Sequence, residues 1–348
     1  MRIIFSGGGT MGSVSPLIAI FEQIKKQEPQ SEFLWVATKD GPETTLISSY
    51  QIPIKKISAG KLRRYFSIKN LFDPFLVMAG FLQSLFIISR FKPQVVISAG
   101  GFVCVPLIWA AWLLRRPTLI HQQDIEPGLA NKLMAPVANI ITVTFEKSLA
   151  DFGPKKTVWV GNPFRPDILE GNKEEGYKFF NFDPAIPTIL ITGGGTGAAG
   201  LNDLVLASVS GLVQFCQVIH LTGGRTKEQA THSRYRSYDF LTDQLKNAYA
   251  ISDLVISRAG LATLTELVAL KKPAIIIPMA RSHQEKNALE FFRNNAVAML
   301  SQEGLTPESF VLAIKQLLFD SAELNNLSRN IAKMMPLDAT EKIIKMIS

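Results

Sequence analysis

Residues 2–27, RIIFSGGGTMGSVSPLIAIFEQIKKQ, decide the fold of this chain. The apolar run Arg2-Ile3-Ile4-Phe5 predicts a buried strand, residues 6–15 predict a glycine-rich loop, and residues 16–27 predict a helix with proline in its first turn. A strand, a loop and a helix in this order are the repeating unit of a parallel sheet covered by helices. The opening of the chain therefore predicts an α/β domain.

The same unit recurs in both halves of the chain. Apolar runs predict further strands at residues 32–38, 93–98, 117–121 and 140–144 of the first half and at residues 188–192, 217–221, 254–257 and 274–278 of the second. A polar, poorly periodic stretch after Pro163, reaching to about Pro187, separates the halves. A second glycine loop, residues 193–198, follows the first strand of the second half. We therefore expect two doubly wound, Rossmann-like domains that face a cleft.

Composition narrows the possible partners. The chain has 348 residues, of which 47% are apolar, and it carries a net charge of +8, which favours anionic partners such as nucleotides, diphosphates or acidic membranes. The scattered lysines and tryptophans form no aromatic and basic stripe, so we expect no nucleic acid. Cys104 and Cys216 lie far apart and lack metal-ligand spacing, which argues against disulfides and structural zinc. With no signal peptide visible, we expect a cytoplasmic protein.

The glycine loops predict a phosphate-containing ligand. At the carboxyl edge of a parallel sheet, unpaired N–H groups at a helix amino end attract phosphate, and glycine lets it approach closely. Neither loop ends in the Gly-Lys-Ser/Thr of an ATPase, and the first lacks the spacing of a dinucleotide fingerprint. A third loop, residues 98–102, could hold an anion, Glu266 could bind a ribose diol, and residues 282–287 suit sugar hydroxyls. Plain turns and, for Glu266, helix capping are the alternatives.

Seven landmarks in a fixed order make the pattern specific. They are Gly-Gly-Thr-x-Gly-x-x-x-Pro at residues 8–16, Gly-Gly-x-x-x-x-Pro at 100–106, His-x-Gln at 121–123, Gly-Asn-Pro-x-Arg at 161–165, the glycine loop at 193–198, the segment at 257–266 and His-Gln-x-x-Asn at 283–287. With these landmarks the chain resembles the MurG family of glycosyltransferases nearly end to end.

The resemblance implies the GT-B fold and a reaction. Residues 1–163 would form the acceptor-binding domain, to which a helix at 337–348 returns, and residues 164–336 would bind the sugar nucleotide. The expected reaction is inverting transfer of N-acetylglucosamine from UDP-N-acetylglucosamine to the muramyl 4-hydroxyl of an undecaprenyl-pyrophosphoryl acceptor, from lipid I to lipid II of peptidoglycan synthesis. We expect no cofactor or metal ion, because an arginine and a helix amino end can neutralise the departing diphosphate.

The resemblance also implies roles for individual residues. Glu266 would bind the ribose, Leu241 would lie near the uracil, and Arg165 would face the donor diphosphate. The remaining donor candidates are Gly194, Gly195, Thr196, Gly197, Arg258, Thr263, Gln284 and Asn287. The acceptor candidates are Thr10, Gly12, Gly100, Gly101, Phe102 and His121.

The chain departs from the family at its acceptor side. Ser13 stands where the family has a histidine often discussed as a base, and an unassisted serine hydroxyl cannot collect a proton near neutral pH. Phe102 replaces a tyrosine, and Asp124 replaces an amide. The catalytic candidates are Ser13, Asp124 and Glu126. We predict that Asp124 is the base and that Glu126 is the second candidate for this role. The alternative is that Asp124 is a solvated loop carboxylate. The substitutions leave open another glycosyltransferase, such as a glycolipid synthase, an epimerase of the same fold, or a sugar-nucleotide-binding protein without activity.

A basic segment and an apolar helix predict contact with a membrane. Residues 61–66, KLRRYF, precede an apolar helix expected at residues 75–88, too short between Asp73 and Arg90 to cross a bilayer. Cations beside apolar side chains suit an anionic lipid surface. We expect peripheral association with the cytoplasmic face of the cell membrane, the alternative being a core helix beside a solvated basic turn.

Overall fold

The computed structural model describes residues 1–8, 12–39, 41, 43–60, 69–194, 197–225 and 230–348, with side chains from residue 73 onward in the helix that begins at residue 69. The chain divides into two compact units. Unit 1 comprises Met1–Phe164 and Met335–Ser348, and unit 2 comprises Arg165–Met334. Each unit is built around a parallel sheet, so the predicted class of two doubly wound α/β domains is confirmed.

Unit 1 has a seven-stranded sheet. Its strands are β1 (Arg2–Ser6), β2 (Glu32–Ala37), β3 (Ile54–Lys56), β4 (Val95–Ser98), β5 (Thr118–Gln122), β6 (Ile140–Val143) and β7 (Thr157–Trp159). Their order in the sheet is β3-β2-β1-β4-β5-β6-β7. The helices are α1 (Ser15–Gln27), α2 (Glu43–Ser49), α3 (Lys69–Phe91), α4 (Cys104–Leu113) and α5 (Leu129–Met134), with a 3₁₀ helix at Glu146–Asp151.

The continuous apolar run of β1 is explained by cover on both faces of the sheet. Successive side chains of a strand point to opposite faces. Ile3 and Phe5 therefore enter a core with residues of α1, and Ile4 enters a second core with residues of α4. All three side chains are fully buried. A strand buried on both faces reads as an unbroken apolar run rather than an alternating one.

Unit 2 has a six-stranded sheet of the same kind. Its strands are β8 (Thr188–Thr192), β9 (Gln217–Leu221), β10 (Tyr235–Tyr238), β11 (Leu254–Ser257), β12 (Ala274–Ile276) and β13 (Ala298–Met299), in the order β10-β9-β8-β11-β12-β13. The helices are α6 (Lys173–Phe180), α7 (Ala199–Leu212), α8 (Leu245–Ile251), α9 (Leu261–Leu270), α10 (His283–Arg293), α11 (Pro307–Leu318) and α12 (Ser321–Ile331), with a 3₁₀ helix at Pro166–Glu170.

The end of the chain returns to unit 1. Helix α13 (Ala339–Ile347) packs against α1. Ala339 and Ile343 are fully buried in the core that contains Ile3. The outgoing and returning segments cross at Gly161, where a Cβ atom would overlap the carbonyl oxygen of Pro336. Because Gly161 also has φ +85°, the crossing requires glycine.

Two segments differ from the sequence predictions. Helix α6 forms inside the stretch predicted as a polar separator, because Asn172 caps its start by accepting a hydrogen bond from the Glu175 amide. Helix α3 is longer than predicted, since Asp73 and Arg90 lie within it rather than at its ends. Its stretch Asp73–Phe91 is long and apolar enough to cross a membrane by length and composition, so the prediction of a helix too short to span was wrong.

Candidate active site

Three loops of unit 1 meet at the carboxyl ends of the adjacent strands β1, β4 and β5. A Cβ atom on Gly101 would overlap the carbonyl oxygen of Gly8, so the loop after β4 touches the loop after β1. Gln123, after β5, donates a hydrogen bond from Nε2 to the carbonyl oxygen of Ala99 at 3.1 Å. Gly100 and Gly101 have φ values of +98° and +99°, which only glycine adopts without strain. Backbone groups therefore form a continuous surface here.

The buried side chain of Gln122 fixes the loop that follows β5. Its Nε2 donates to the carbonyl oxygens of Asp124 at 2.7 Å and Glu126 at 3.0 Å. Its Oε1 accepts a hydrogen bond from Asn131 Nδ2 at 2.6 Å. The loop leaves the Asp124 side chain partly exposed and that of Glu126 exposed. Both predicted bases thus lie at the same edge of the sheet as the glycine loops.

Asn131 is a polar residue that sequence reasoning missed. Its side chain is 5% exposed, and within the described part of the chain its Oδ1 has no hydrogen-bond partner. This oxygen lies 3.6 Å from the position that a Cβ atom on Gly100 would occupy. A buried acceptor beside a glycine loop can take a hydrogen bond from a bound ligand. No spacing in the sequence marks Asn131, because its neighbours form an ordinary helix.

The other acceptor candidates occupy different environments. Gly12 is exposed, Phe102 is partly exposed, and Thr10 lies outside the described residues. Ser13 is 8% exposed, and its hydroxyl lies 3.4 Å from the carbonyl oxygen of Gly8. The Ser13 hydroxyl is therefore buried and already donates a hydrogen bond to the protein backbone.

His121 is an internal residue rather than a surface contact. Its side chain is fully buried on β5, with Nδ1 3.0 Å from Thr142 Oγ1 and Nε2 2.9 Å from Asn162 Oδ1. Burial lowers the pKa of His121 to about 4, so the ring is neutral near pH 7. Both ring nitrogens are occupied by protein partners. This corrects the expectation of an acceptor contact, because the ring instead links β5 to β6 and to the segment after β7.

The glycine loop of unit 2 lies between β8 and α7. Gly194 and Gly197 have φ values of +79° and +67°, and the amide of Gly197 donates to the carbonyl oxygen of Gly194 at 3.0 Å. A Cβ atom on Gly197 would lie 2.7 Å from the carbonyl oxygen of Thr222, so this position requires glycine. The loop leads into the amino end of α7, where backbone N–H groups can bind phosphate. The candidates Gly195 and Thr196 lie outside the described residues.

Glu266 lies in the second turn of α9 and is held by a tyrosine. The hydroxyl of Tyr249, 1% exposed, donates to Glu266 Oε2 at 2.8 Å. Burial raises the pKa of Glu266, while Tyr249 and the charge of Arg165 act in the opposite direction. Burial, and then the adjacent Glu266, raise the pKa of Tyr249 well above its usual value, so the hydroxyl remains a donor. A carboxylate has about four lone pairs, so others remain for a diol.

Arg258, which follows β11, connects the carboxyl ends of β11, β12 and β13 through hydrogen bonds. It is 7% exposed, and its Nη1 donates to the carbonyl oxygen of Ile277 at 2.9 Å and to Gln302 Oε1 at 2.8 Å. Ile277 follows β12, and Gln302 lies after β13. Burial lowers the pKa of Arg258. The hydrogen bonds show that Arg258 fixes the loops that would surround a donor.

The remaining donor candidates lie on the carboxyl side of the same sheet. Thr263 is 8% exposed and Asn287 is fully buried. Gln284 accepts a hydrogen bond from the Met279 amide at 3.2 Å through Oε1, which ties the start of α10 to the loop after β12. Leu241 is partly exposed after β10. Arg165, partly exposed, lies with Nε 3.9 Å from Asp167 Oδ1.

Two parallel α/β units with glycine loops at their carboxyl edges have the architecture of the GT-B fold, which glycosyltransferases use. Residues 3–143 match the family model described as glycosyltransferase family 28 N-terminal domain, and residues 188–343 match the glycosyltransferase family 28 C-terminal domain. The chain belongs to this family, and within it to the MurG family. The resemblance found in the sequence is thereby confirmed.

Relatives are similar over nearly the whole chain. A protein of Lachnospira eligens is 37% identical over 352 residues, which cover 99% of this chain and 98% of the relative. A protein of Clostridium perfringens is 38% identical over 322 residues, which cover 91% of this chain and 90% of the relative. Both are named UDP-N-acetylglucosamine–N-acetylmuramyl-(pentapeptide) pyrophosphoryl-undecaprenol N-acetylglucosamine transferase.

Solved structures are similar in fold. MurG of Acinetobacter baumannii has a TM-score of 0.75 at 24% identity, covering 99% of this chain and 98% of its own. A UDP-GlcNAc 2-epimerase of Neisseria meningitidis, bound to UDP-GlcNAc, has a TM-score of 0.70 at 13% identity, covering 100% of this chain and 99% of its own. The predicted GT-B fold is confirmed.

Proposed function

We propose that this chain transfers N-acetylglucosamine from UDP-N-acetylglucosamine to the muramyl 4-hydroxyl of an undecaprenyl-pyrophosphoryl acceptor, which converts lipid I to lipid II. The observation that carries the proposal is the pair of glycine surfaces, one at the carboxyl edge of each sheet. The surface of unit 1 would bind the acceptor diphosphate, and the loop before α7 would bind the donor diphosphate. The transferases at 37% and 38% identity support this choice of donor and acceptor.

The reaction is a single displacement with inversion at the anomeric carbon. The 4-hydroxyl oxygen forms a bond to the anomeric carbon while the bond from that carbon to the UDP oxygen breaks, through an oxocarbenium-like transition state. Asp124 is our candidate to accept the hydroxyl proton, because its partly exposed carboxylate lies beside the glycine loops of unit 1.

The charge of the leaving UDP is neutralised in unit 2. Arg165 and the amino end of α7 would stabilise the diphosphate, and preorganised dipoles of this kind contribute several kcal/mol, on the order of 3, in comparable sites. Glu266, oriented by Tyr249, would accept hydrogen bonds from the ribose diol. Leu241 would contact the uracil, and Thr263, Gln284 and Asn287 would line the donor sugar.

A transfer assay tests the proposal against its alternatives. The purified chain is incubated with radiolabelled UDP-N-acetylglucosamine and a lipid I analogue. In further incubations UDP-galactose replaces the donor, or diacylglycerol replaces the acceptor. We expect label in a disaccharide lipid, β-linked by inversion, with the first pair alone. Transfer of label to diacylglycerol would identify a glycolipid synthase. Conversion of the labelled UDP-N-acetylglucosamine to its 2-epimer in the absence of an acceptor would identify an epimerase. Either result rejects the proposal.

We also propose that α3 docks the enzyme on a membrane surface. Its side chains Phe75, Met78, Leu82 and Phe86 are 75%, 59%, 59% and 66% exposed. An exposed apolar stripe of this size is typical of an interaction surface. Trp112, at the end of α4, is also 56% exposed and would extend the same contact. A polyprenyl-linked acceptor would be met at such a surface.

The opposite face of α3 is attached to unit 1, which favours lying on a membrane over crossing it. A Cβ atom on Gly80 would overlap the carbonyl oxygen of Ser58, and Ser58 donates its amide hydrogen to Gln83 Oε1 at 2.7 Å. Ile88 is fully buried in the core with residues of α4. Because these contacts hold one face to the protein, the exposed face alone would enter lipid.

Vesicle flotation tests this docking. The Phe75→Ser, Phe86→Ser double variant should lose flotation with phosphatidylglycerol vesicles, while Phe292→Ser, also an exposed phenylalanine but in unit 2, should keep it. Equal flotation of both variants would reject α3 as the docking surface. The basic segment at residues 61–66, expected to add charge attraction, lies outside the described residues.

A further inference from the structure

A chain of buried polar side chains leads to the glycine loop of unit 2. It starts at Tyr235 on β10, continues through His220 on β9 and ends at Asn202 near the start of α7. Tyr235 is 3% exposed, and His220 and Asn202 are fully buried. No step of the proposed reaction uses these three residues. We call them the α7 anchor, because they connect two strands of the sheet to the start of that helix.

The hydrogen bonds of the α7 anchor reach a backbone carbonyl beside the glycine loop. The Tyr235 hydroxyl lies 2.7 Å from His220 Nδ1, and His220 Nε2 lies 3.1 Å from Asn202 Oδ1. Asn202 Nδ2 donates to the carbonyl oxygen of Thr222, which follows β9, at 2.9 Å. The same oxygen is 2.7 Å from the position that a Cβ atom on Gly197 would occupy. The anchor therefore fixes the start of α7 against the loop after β9 and the glycine loop.

The direction of each hydrogen bond follows from the one at the carbonyl. A carbonyl oxygen can only accept, so Asn202 presents its amide nitrogen to Thr222 and its Oδ1 to His220. An oxygen facing the ring requires the proton on Nε2, which leaves Nδ1 to accept from the Tyr235 hydroxyl. Burial lowers the pKa of His220 to about 4 and raises the pKa of Tyr235 to about 12, so near pH 7 both groups are neutral. One arrangement of protons therefore satisfies all three hydrogen bonds.

The position of the first turn of α7 matters because its backbone N–H groups lack a side-chain cap. In the part of the chain that the structure describes, Ala198 stands at the N-cap position and supplies no side-chain oxygen. Free N–H groups at a helix start can bind an anion, which is the role assigned to α7 in the proposed function. The attraction of the helix dipole for an anion falls off within the first turn. The affinity for a diphosphate should therefore depend on where the anchor holds this turn.

We propose that Tyr235, His220 and Asn202 are positioning residues for the donor diphosphate. They hold the amino end of α7 and the glycine loop in the geometry that binds the diphosphate, and they act through the backbone because their side chains are buried. The inference rests on the proposed function, since it concerns the site assigned there to the donor. It assigns no role in holding uridine, whose ribose is assigned to Glu266 on α9.

Binding of UDP and of uridine separates positioning from a general loss of structure. Both ligands carry uracil and ribose, and only UDP carries the diphosphate. His220→Leu removes both ring nitrogens, so we expect UDP to bind about tenfold more weakly and uridine to bind within about twofold of the unmodified chain. Titration calorimetry gives the Kd of UDP, and displacement of UDP gives the Kd of uridine. Equal weakening of both ligands, or unchanged binding of UDP, would overturn the inference.

Two milder substitutions test the hydrogen bonds themselves. In His220→Gln the new side chain has an amide donor and a carbonyl acceptor, so it can donate to Asn202 and accept from Tyr235 as the neutral ring does. It should restore most of the UDP affinity lost in His220→Leu, and a failure to restore any would contradict the proposed role. Tyr235→Phe removes one oxygen atom and tests the anchor even where His220→Leu is unstable. We expect UDP to bind at least about threefold more weakly with uridine unchanged, and unchanged UDP affinity would reject the anchor.

Matched controls make the same substitutions outside the anchor. His121→Leu removes a histidine that is also fully buried and hydrogen-bonded at both nitrogens, but in unit 1. Tyr177→Phe removes a hydroxyl on α6 of unit 2. We expect both controls to bind UDP as the unmodified chain does, and weakening as large as in the anchor variants would reject the inference. Failure of the unmodified chain to bind UDP would reject the donor site together with the anchor, whereas UDP binding that no anchor substitution changes would reject the anchor alone.

Discussion

Removal of the Tyr249 hydroxyl should weaken donor binding and shift its pH dependence. In Tyr249→Phe, Glu266 loses the hydrogen bond that the structure gives at 2.8 Å. A hydrogen bond to a charged group contributes about 1.5–3 kcal/mol, and the lower end of this range corresponds to about tenfold. We therefore expect KM for UDP-N-acetylglucosamine to rise about tenfold near pH 8, with kcat nearly unchanged, because Tyr249 orients a group that binds substrate and transition state alike.

The pH dependence of kcat/KM tests the same contact independently, because the direction of its shift can be predicted. The Tyr249 hydroxyl lowers the pKa of Glu266, against the burial that raises it. Without the hydroxyl, the pKa of Glu266 rises further, and the protonated form accepts fewer hydrogen bonds from a ribose. The acid limb of kcat/KM should therefore appear at higher pH in Tyr249→Phe than in the unmodified enzyme.

Steady-state kinetics between pH 5 and pH 9 measure both effects, with Tyr177→Phe as the control. Tyr177 is a partly buried tyrosine of unit 2 on α6, and among the residues that the structure describes no hydrogen bond joins it to Glu266. We expect its KM and acid limb to match those of the unmodified enzyme. An unshifted acid limb in Tyr249→Phe, or a fall in kcat with KM unchanged, would refute the positioning of Glu266 by Tyr249.

Three further outcomes are expected. Asp124→Asn should lower kcat by about 10²–10⁴ with little change in either KM, since general base catalysis contributes that range, and near-normal turnover would dismiss Asp124 as the base. The free energy of unfolding, measured with urea, should fall as pH drops from about 6.5 towards 4. Burial lowers the pKa values of His121 and His220 to about 4, so the unfolded chain takes up protons at these histidines before the folded chain does. The free energy of unfolding of His121→Gln should depend less on pH, and an equal dependence would contradict the assignment. EDTA should leave turnover unchanged, because Arg165 and the amino end of α7 are assigned to the leaving diphosphate, and a large loss restored by a divalent cation would refute that assignment.

The interior of both sheets could be predicted from the sequence, and their edges could not. The strands at 188–192, 217–221 and 254–257 match β8, β9 and β11 because each is an apolar run buried on both faces. The four strands that the sequence did not reveal are β3, β7, β10 and β13, which are the outermost strands of the two sheets. Strands such as Ile54–Lys56 and Tyr235–Tyr238 are short and carry polar, half-exposed side chains, so they form no apolar run.

The residues of the candidate site also divide into those that the sequence could predict and those that it could not. The positions of Gly101, Gly197 and Glu266 in the fold could be predicted, because a glycine loop after a strand, or a carboxylate early in the next helix, has a fixed place at the carboxyl edge of a parallel sheet. Tyr249 and Asn131 could not be found, because each lies in an unremarkable helix and acts through a side-chain contact with another element that the sequence does not show. The environment of His121 depends on Thr142 and Asn162, which the sequence does not show to be adjacent.

Titration calorimetry with UDP-N-acetylglucosamine tests most directly whether the carboxyl edge of unit 2 binds a sugar nucleotide. The unmodified chain should bind one equivalent, and Glu266→Ala should bind at least about 100-fold more weakly, since two hydrogen bonds from a ribose to a charged group would be lost at about 1.5 kcal/mol or more each. Absence of heat with the unmodified chain, or equal affinity in Glu266→Ala, would contradict the assignment of the donor to this edge.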